Sequence, residues 1–255
     1  MADEIVLYHK EGPVGLITIN RPEVRNALNG PVFQALGDIL SRVAGDDEVR
    51  VIVITGTGNA FVAGADINEL LSFDSVRGWA ESRFNHSVLS RLEGLGKPSI
   101  AAVNGAALGG GLELALACTL RFAAPEAKMG FPELGLGIIP GFGGTQRLIR
   151  TVGRAKAAEL LLRRSIIGAE EAKAIGLVND VTPQGQAVEV AKGVAHDLSS
   201  LSPTAVRLTM ELLSHSQHEG FDSGLALESA IASLTLSSAE AKKLLGDFVG
   251  KAKKK

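Results

Sequence analysis

The spacing of hydrophobic positions changes along the chain, and each spacing predicts an element. Ile5 to Lys10 and Val14 to Asn20 read as two strands joined by a turn at Glu11-Gly12-Pro13. Val32, Phe33, Leu36, Ile39, Leu40 and Val43 recur at helical spacing just after Pro31, a residue suited to the first helical turn. Val51-Ile52-Val53-Ile54 is continuously apolar, which fits a strand covered on both faces. Ser75 to Leu95 predicts a helix stopped by Lys97-Pro98. Ser99 to Val103 predicts another buried strand, and Gly109-Gly110-Gly111 opens a helix through Leu116. Strands alternate with helices to about Val181, so the class is α/β. From Gln186 onward only helical stretches follow, near Ala187–Ser199, Thr204–His215, Gly220–Ser233 and Ala239–Val249. The expected division is a core over residues 1–195 and a helical region over 196–255.

Three glycine clusters punctuate the α/β part. Thr55-Gly56-Thr57-Gly58-Asn59-Ala60-Phe61 follows a strand, but Phe61 stands where a dinucleotide-binding turn needs its third glycine. No Gly-Lys-Ser/Thr follows any cluster, which excludes a phosphate-binding P-loop. The second cluster, Asn104 to Glu113, puts three glycines where a strand feeds a helix. The free N–H groups of a helix start, at the positive end of its dipole, can hold a developing oxyanion. Tight helix–strand packing explains the same glycines equally well. The third cluster, Gly137 to Arg147, reads by itself as a structural loop leading into a helix.

Composition narrows the function. The chain has 255 residues, 45% hydrophobic and 21% charged, with a net charge of -2, which gives no electrostatic case for nucleic-acid binding. The basic tail Lys251, Lys253, Lys254 and Lys255 reads as a solvated end. Cys118, inside an apolar run, reads as a small buried hydrophobe. The acidic N-terminus is unlike a signal peptide, and no apolar run reaches about 18 residues, so a cytoplasmic address without a membrane span is expected. His86, His196, His215 and His218 are scattered, with no metal-ligand spacing.

Two glutamates carry candidate chemistry. Glu113 lies three residues after Gly110, on the same helix face, where the dipole is expected to favour its ionised form and suit it to a general base. Glu133, in Phe131-Pro132-Glu133-Leu134, has apolar neighbours, so desolvation is expected to raise its pKa and suit it to carrying a proton.

The chain resembles the enoyl-CoA hydratase (crotonase) family along nearly its whole length. The resemblance is carried by Asn20-Arg21-Pro22 with Asn26-Ala27-Leu28-Asn29, by Ala60 to Ile67, and by Lys97 to Gly105. It continues through Gly109 to Leu114, Phe131-Pro132-Glu133, Gly137 to Gly141 and Gly143 to Leu148. It implies a crotonase-like spiral of repeated ββα units followed by a helical trimerisation region, giving a homotrimer or a dimer of trimers. It implies that water adds across the 2,3 double bond of an enoyl-CoA, with coenzyme A as part of the substrate and no prosthetic group. The backbone N–H groups of Ala65 and Gly110 match the family's oxyanion hole, and Glu113 and Glu133 match its catalytic pair. For coenzyme A the resemblance implies carbonyls around Val24, Arg25 and Asn26, the segment Ala63, Ala65, Asp66 and Ile67, and Gly110. It also implies Phe248 and Lys251 of a neighbouring subunit, although the local pattern departs from the family there. Thr119-Leu120, where the family carries an Asp, puts local packing in question. The acyl pocket falls to Asn68–Trp79 and the following helix, with Trp79 read as a packing residue rather than a substrate wall. The rival readings are a Δ3-Δ2 enoyl-CoA isomerase and a non-catalytic or RNA-binding relative. An intact glutamate pair argues against both.

Overall fold

The computed structural model describes residues 4–216 and 220–252, with side chains to Val249. The chain divides into two compact units, Met1–Ser199 and Ser200–Lys255.

In the first unit, β1 (Val6–Glu11) and β2 (Val14–Ile19) form an antiparallel hairpin, turned at Gly12 with φ 59°. Helix α1 (Gly30–Ala44) follows, capped by the Asn29 side chain, which accepts from the Val32 N–H. A strand–strand–helix unit then recurs three times. The first is β3 (Val51–Gly56) and β4 (Ala60–Val62), followed by α2 (Ile67–Leu70) and α3 (Ser75–Glu93). Next come β5 (Ser99–Val103), β6 (Ala106–Leu108) and α4 (Gly110–Leu116). The last is β7 (Leu120–Ala123), β8 (Lys128–Gly130), a 3₁₀ turn at Glu133–Leu136, and α5 (Gly144–Leu162).

In each repeat the first strand joins one sheet and the second joins another. The six-stranded sheet runs β1-β2-β3-β5-β7-β10 and the four-stranded sheet β4-β6-β8-β9, closed by β9 (Ile166–Gly168) and β10 (Asp180–Val181), with α6 (Ala169–Ala174) between them. The repeats pair in parallel within both sheets. This is the spiral of ββα units that the resemblance implies. The second sheet was not expected from hydrophobic spacing, because its strands are only three residues long.

Helix α7 (Ala187–Ser199) packs on the six-stranded sheet. Ala187, Ala191 and Ala195, four apart on one face, let it approach Val14, Val51, Val53 and Ile100. The boundary expected after residue 195 falls inside this helix, and the compact units divide after Ser199 instead. Thr119 keeps its surroundings packed without the family's Asp: its Oγ1 accepts from the Ser99 N–H, and its own N–H donates to Ser99 Oγ. Phe61 and Phe131, both fully buried, lie just before the two segments that matter below, residues 63–66 and 132–133. Truncating either ring would cost about 3–5 kcal/mol, so both segments leave rigid anchors.

The second unit holds α8 (Pro203–His215), α9 (Phe221–Ser237) and α10 (Ala239–Ala252). Ser202 caps α8 by accepting from Ala205, and its hydroxyl donates to Glu240 at the start of α10. Among the described residues of these helices Ile231 is the buried hydrophobic one, while Phe221, Leu225, Leu234, Leu236, Leu244, Leu245 and Phe248 are exposed on the chain.

Candidate active site

The three glycines at the start of α4 serve three contacts. Gly109 has φ 50° and ψ -120°, a backbone state that a side chain would strain, and a Cβ there would strike Glu133 Oε1. A Cβ on Gly110 would stand 2.7 Å from the Phe142 ring and 3.6 Å from the Ala65 nitrogen. A Cβ on Gly111 would collide with the Val62 carbonyl of β4. Each of the three glycines thus admits a neighbour that a side chain would displace.

Ala65 is oriented by its neighbours. The Leu28 N–H donates to Gly64 O at 2.9 Å, and the Asp66 N–H donates to Leu28 O at 2.7 Å. The isolated parallel bridge of Leu28 with Ala65 turns the Ala65 N–H away from Leu28. Gly110, at the first position of α4, has no acceptor within its helix. Among the described residues neither N–H has an acceptor, and the two sit on facing segments.

The Glu113 side chain is 1% exposed. Its Oε1 accepts from the Phe142 N–H at 2.8 Å and the Gly144 N–H at 2.6 Å. Burial pushes its pKa up to about 7, against the pull of those two N–H groups, and the nearby Glu133 pushes the same way. This corrects the expectation of a carboxylate kept ionised by its own helix start: burial raises its pKa, and the stabilising N–H groups come from Phe142 in the loop before α5 and from Gly144 at the start of α5. Glu133 is also buried, and desolvation raises its pKa as expected from its apolar neighbours. Its Oε2 is buried without a hydrogen-bond partner. Glu133 touches Gly109, Gly110 faces Ala65, and Glu113 is clamped beside Phe142, whose ring covers Gly110. The four residues singled out from sequence therefore converge.

The candidate coenzyme A residues divide by what their atoms already do. Arg25 and Asn26 hold left-handed backbone, φ 53° and 62°. The fully buried Asn26 side chain accepts from Arg21 and donates to Thr57 O and Ala60 O, so it is a structural clasp. Arg25 O accepts from Ala63 at 3.0 Å, which ties residues 24–26 to the 63–67 segment. The Asp66 carboxylate caps α2 and pairs with Arg21 at 2.9 Å; that guanidinium holds its pKa below the usual range. Val24 and Ile67 are exposed. Phe248 lies exposed on α10, and the Lys251 side chain, like Lys253, Lys254, Lys255 and His218, lies outside the described residues. Trp79 is 69% exposed on α3, which corrects its reading as a packing residue. Cys118 is buried as expected, its thiol pushed up to about 12 by burial. Among the described residues no group of three or more His, Cys, Asp or Glu side chains could hold a metal ion, and no helix is long and apolar enough to cross a membrane.

Sequence reasoning missed the Arg21–Asp66 pair and the two N–H donors to Glu113. Arg21 stood inside a recognised motif. Phe142 and Gly144 lie 29 and 31 residues from Glu113, with no local signal joining them.

Residues 9–255 match the enoyl-CoA hydratase/isomerase family. The chain is 41% identical to the short-chain-enoyl-CoA hydratase of Clostridium acetobutylicum, over 97% of this chain and 95% of that one. It is 39% identical to the crotonyl-CoA hydratase of Syntrophomonas wolfei, over 99% and 98%. The crystal structure of an enoyl-CoA hydratase from Bacillus anthracis superposes with a TM-score of 0.93 at 35% identity, covering 97% of each chain.

Proposed function

The chain belongs to the enoyl-CoA hydratase/isomerase family, and from that premise we propose how its residues add water to an enoyl-CoA thioester. The Ala65 and Gly110 N–H groups, both without an acceptor among the described residues, receive the thioester carbonyl oxygen. Their pull drains electron density from the β-carbon and stabilises the enolate that forms when water attacks it. Water sits between Glu113 and Glu133. Both clamp bonds of Glu113 end on Oε1, which leaves Oε2 to take the proton of the attacking water. Glu133, its pKa raised by desolvation, delivers a proton to the α-carbon on the same face. The thioester gains one hydrogen and one hydroxyl, Glu113 ends protonated and Glu133 ionised. A proton passes back between them before the next turnover. The observation that carries this reading is the pair of buried carboxyl groups with raised pKa at one glycine-rich helix start.

Coenzyme A is part of the substrate, and the reaction needs no prosthetic group. Its nucleotide lies along residues 24–26 and 63–67, contacted by main chain, since the Asn26 and Asp66 side chains are engaged. The exposed apolar side chains of α9 and α10 suit burial against further copies of the chain, in a homotrimer or dimer of trimers, with Phe248 and Lys251 reaching a neighbour's nucleotide. Incubation with crotonyl-CoA tests the reading: enoyl absorbance falls and 3-hydroxyacyl-CoA accumulates. If no 2-enoyl-CoA is consumed while a 3-enoyl-CoA is converted to its 2-isomer, hydration is the wrong reaction.

A further inference from the structure

The clamp on Glu113 has a second layer. The Gly141 carbonyl and the Phe142 N–H are the two ends of one planar peptide unit. The hydrogen end donates to Glu113 Oε1 at 2.8 Å. The oxygen end accepts from Ser82 Oγ at 2.7 Å. Ser82 lies on α3, so this helix reaches across to the loop that carries the Glu113 donor. The next carbonyl, Phe142 O, accepts from Arg147, whose guanidinium is held by Glu93 at the end of the same helix through bonds of 2.8 and 2.6 Å. Helix α3 thus holds the loop from behind while the loop holds Glu113 in front.

We propose that Ser82 is a positioning residue for the Glu113 carboxylate, acting through the Gly141–Phe142 peptide. It acts in two ways. The donor on the carbonyl fixes the rotation of the peptide plane, and with it the direction of the Phe142 N–H. It also polarises the amide, which strengthens the bond it donates at its other end. The Ser82 side chain need not touch substrate. The groups that share the field of Glu113 are Glu133 and Arg147. Loss of the Ser82 hydroxyl lets the peptide rotate and weakens the N–H that favours ionised Glu113, so the carboxyl becomes harder to ionise and less well aimed.

The proposal rests on Glu113 acting as the base in hydration, and its test has one readout that needs no turnover. The variants are Ser82→Ala and Ser82→Thr, which keeps the hydroxyl. In the crotonyl-CoA assay, Ser82→Ala is expected to lower kcat about threefold to tenfold, the range of one hydrogen bond. KM should stay within about twofold, the acid limb of the kcat profile should move to higher pH, and Ser82→Thr should recover most of the loss. Independently, the Glu113 carboxyl carbon, assigned in ¹³C-glutamate-labelled protein by its absence in Glu113→Gln, should titrate at higher pH in Ser82→Ala than in the unaltered protein. An unmoved titration in Ser82→Ala overturns the proposal, as does a drop in thermal stability with kcat and the acid limb unchanged. If the unaltered protein hydrates no enoyl-CoA, the functional reading falls, and the carboxyl titration still decides the positioning role.

Discussion

Gly144→Ala introduces one methyl group where the structure has no room for it. The added Cβ would stand 2.7 Å from Phe131 Cε1, 2.8 Å from Glu113 Cγ and 2.9 Å from Glu113 Oε1. Carbon contacts prefer about 3.5 Å or more, so each neighbour would have to retreat by roughly 0.6–0.8 Å. Phe131 is fully buried, and Glu113 is fixed on α4, so the accessible movement is that of the carboxyl group and of residue 144 itself. Either one breaks the 2.6 Å bond from the Gly144 N–H to Oε1. A hydrogen bond to a charged group is worth about 1.5–3 kcal/mol, and about 1.4 kcal/mol is a factor of ten in rate. The expected loss in kcat is therefore on the order of 10- to 150-fold, with KM for crotonyl-CoA little changed because the oxyanion donors and the coenzyme A segments are untouched. Overpacking adds a stability cost of about 1–3 kcal/mol, read as a fall of several degrees in Tm. Steady-state kinetics across the pH range around neutrality, with a parallel melting curve, measures both. The reasoning is refuted if kcat stays within about twofold of the unaltered protein and the acid limb does not move.

Three further outcomes are expected. Glu113 has a folded pKa of about 7 against an ordinary value of 4.5, so catalysis that needs its ionised form should rise with pH and level off above about 7. The same shift lowers stability as pH rises: the folded protein holds the proton longer than the unfolded chain, so stability is lost between about 4.5 and 7. Glu113→Gln should therefore melt higher than the unaltered protein above neutrality, by up to roughly 3 kcal/mol relative to their difference in acid, and an equal difference at both pH values would contradict the assignment. Arg21→Ala removes the half-buried partner of Asp66, and should raise KM for crotonyl-CoA and lower Tm by several degrees while leaving the acid limb of kcat in place. Because Asp66 is held below its ordinary pKa of 3.8, the stability lost in Arg21→Ala should be full near neutrality and shrink only as pH falls below that ordinary value and through the lower folded one.

Legibility in the sequence followed the range over which each feature is encoded. Strands β3 and β5 and helix α1 were legible because burial on two faces or one leaves a local record, such as Val51-Ile52-Val53-Ile54 or the spacing from Val32 to Val43. The four-stranded sheet was not, since three residues such as Ala60–Val62 are too few to display a period. The residues of the candidate site were legible through motif resemblance, but their electrostatics were only half so. Glu133 carries its apolar neighbours beside it in sequence. The surroundings of Glu113 are assembled from Phe142 and Gly144, which only the fold brings near. Trp79 shows the same limit from the other side: its bulk argued for packing, and the fold leaves it exposed.

The central claim is that two carboxyl groups divide the proton transfers of one hydration. Single-turnover hydration of crotonyl-CoA by Glu113→Gln and Glu133→Gln, with binding of the substrate measured alongside, tests it most directly. The account predicts near-normal binding with the chemical step slowed by at least about 10² in each variant, the range of one positioned acid or base, and a double variant little worse than either single one. Hydration at an undiminished rate in either variant would contradict it.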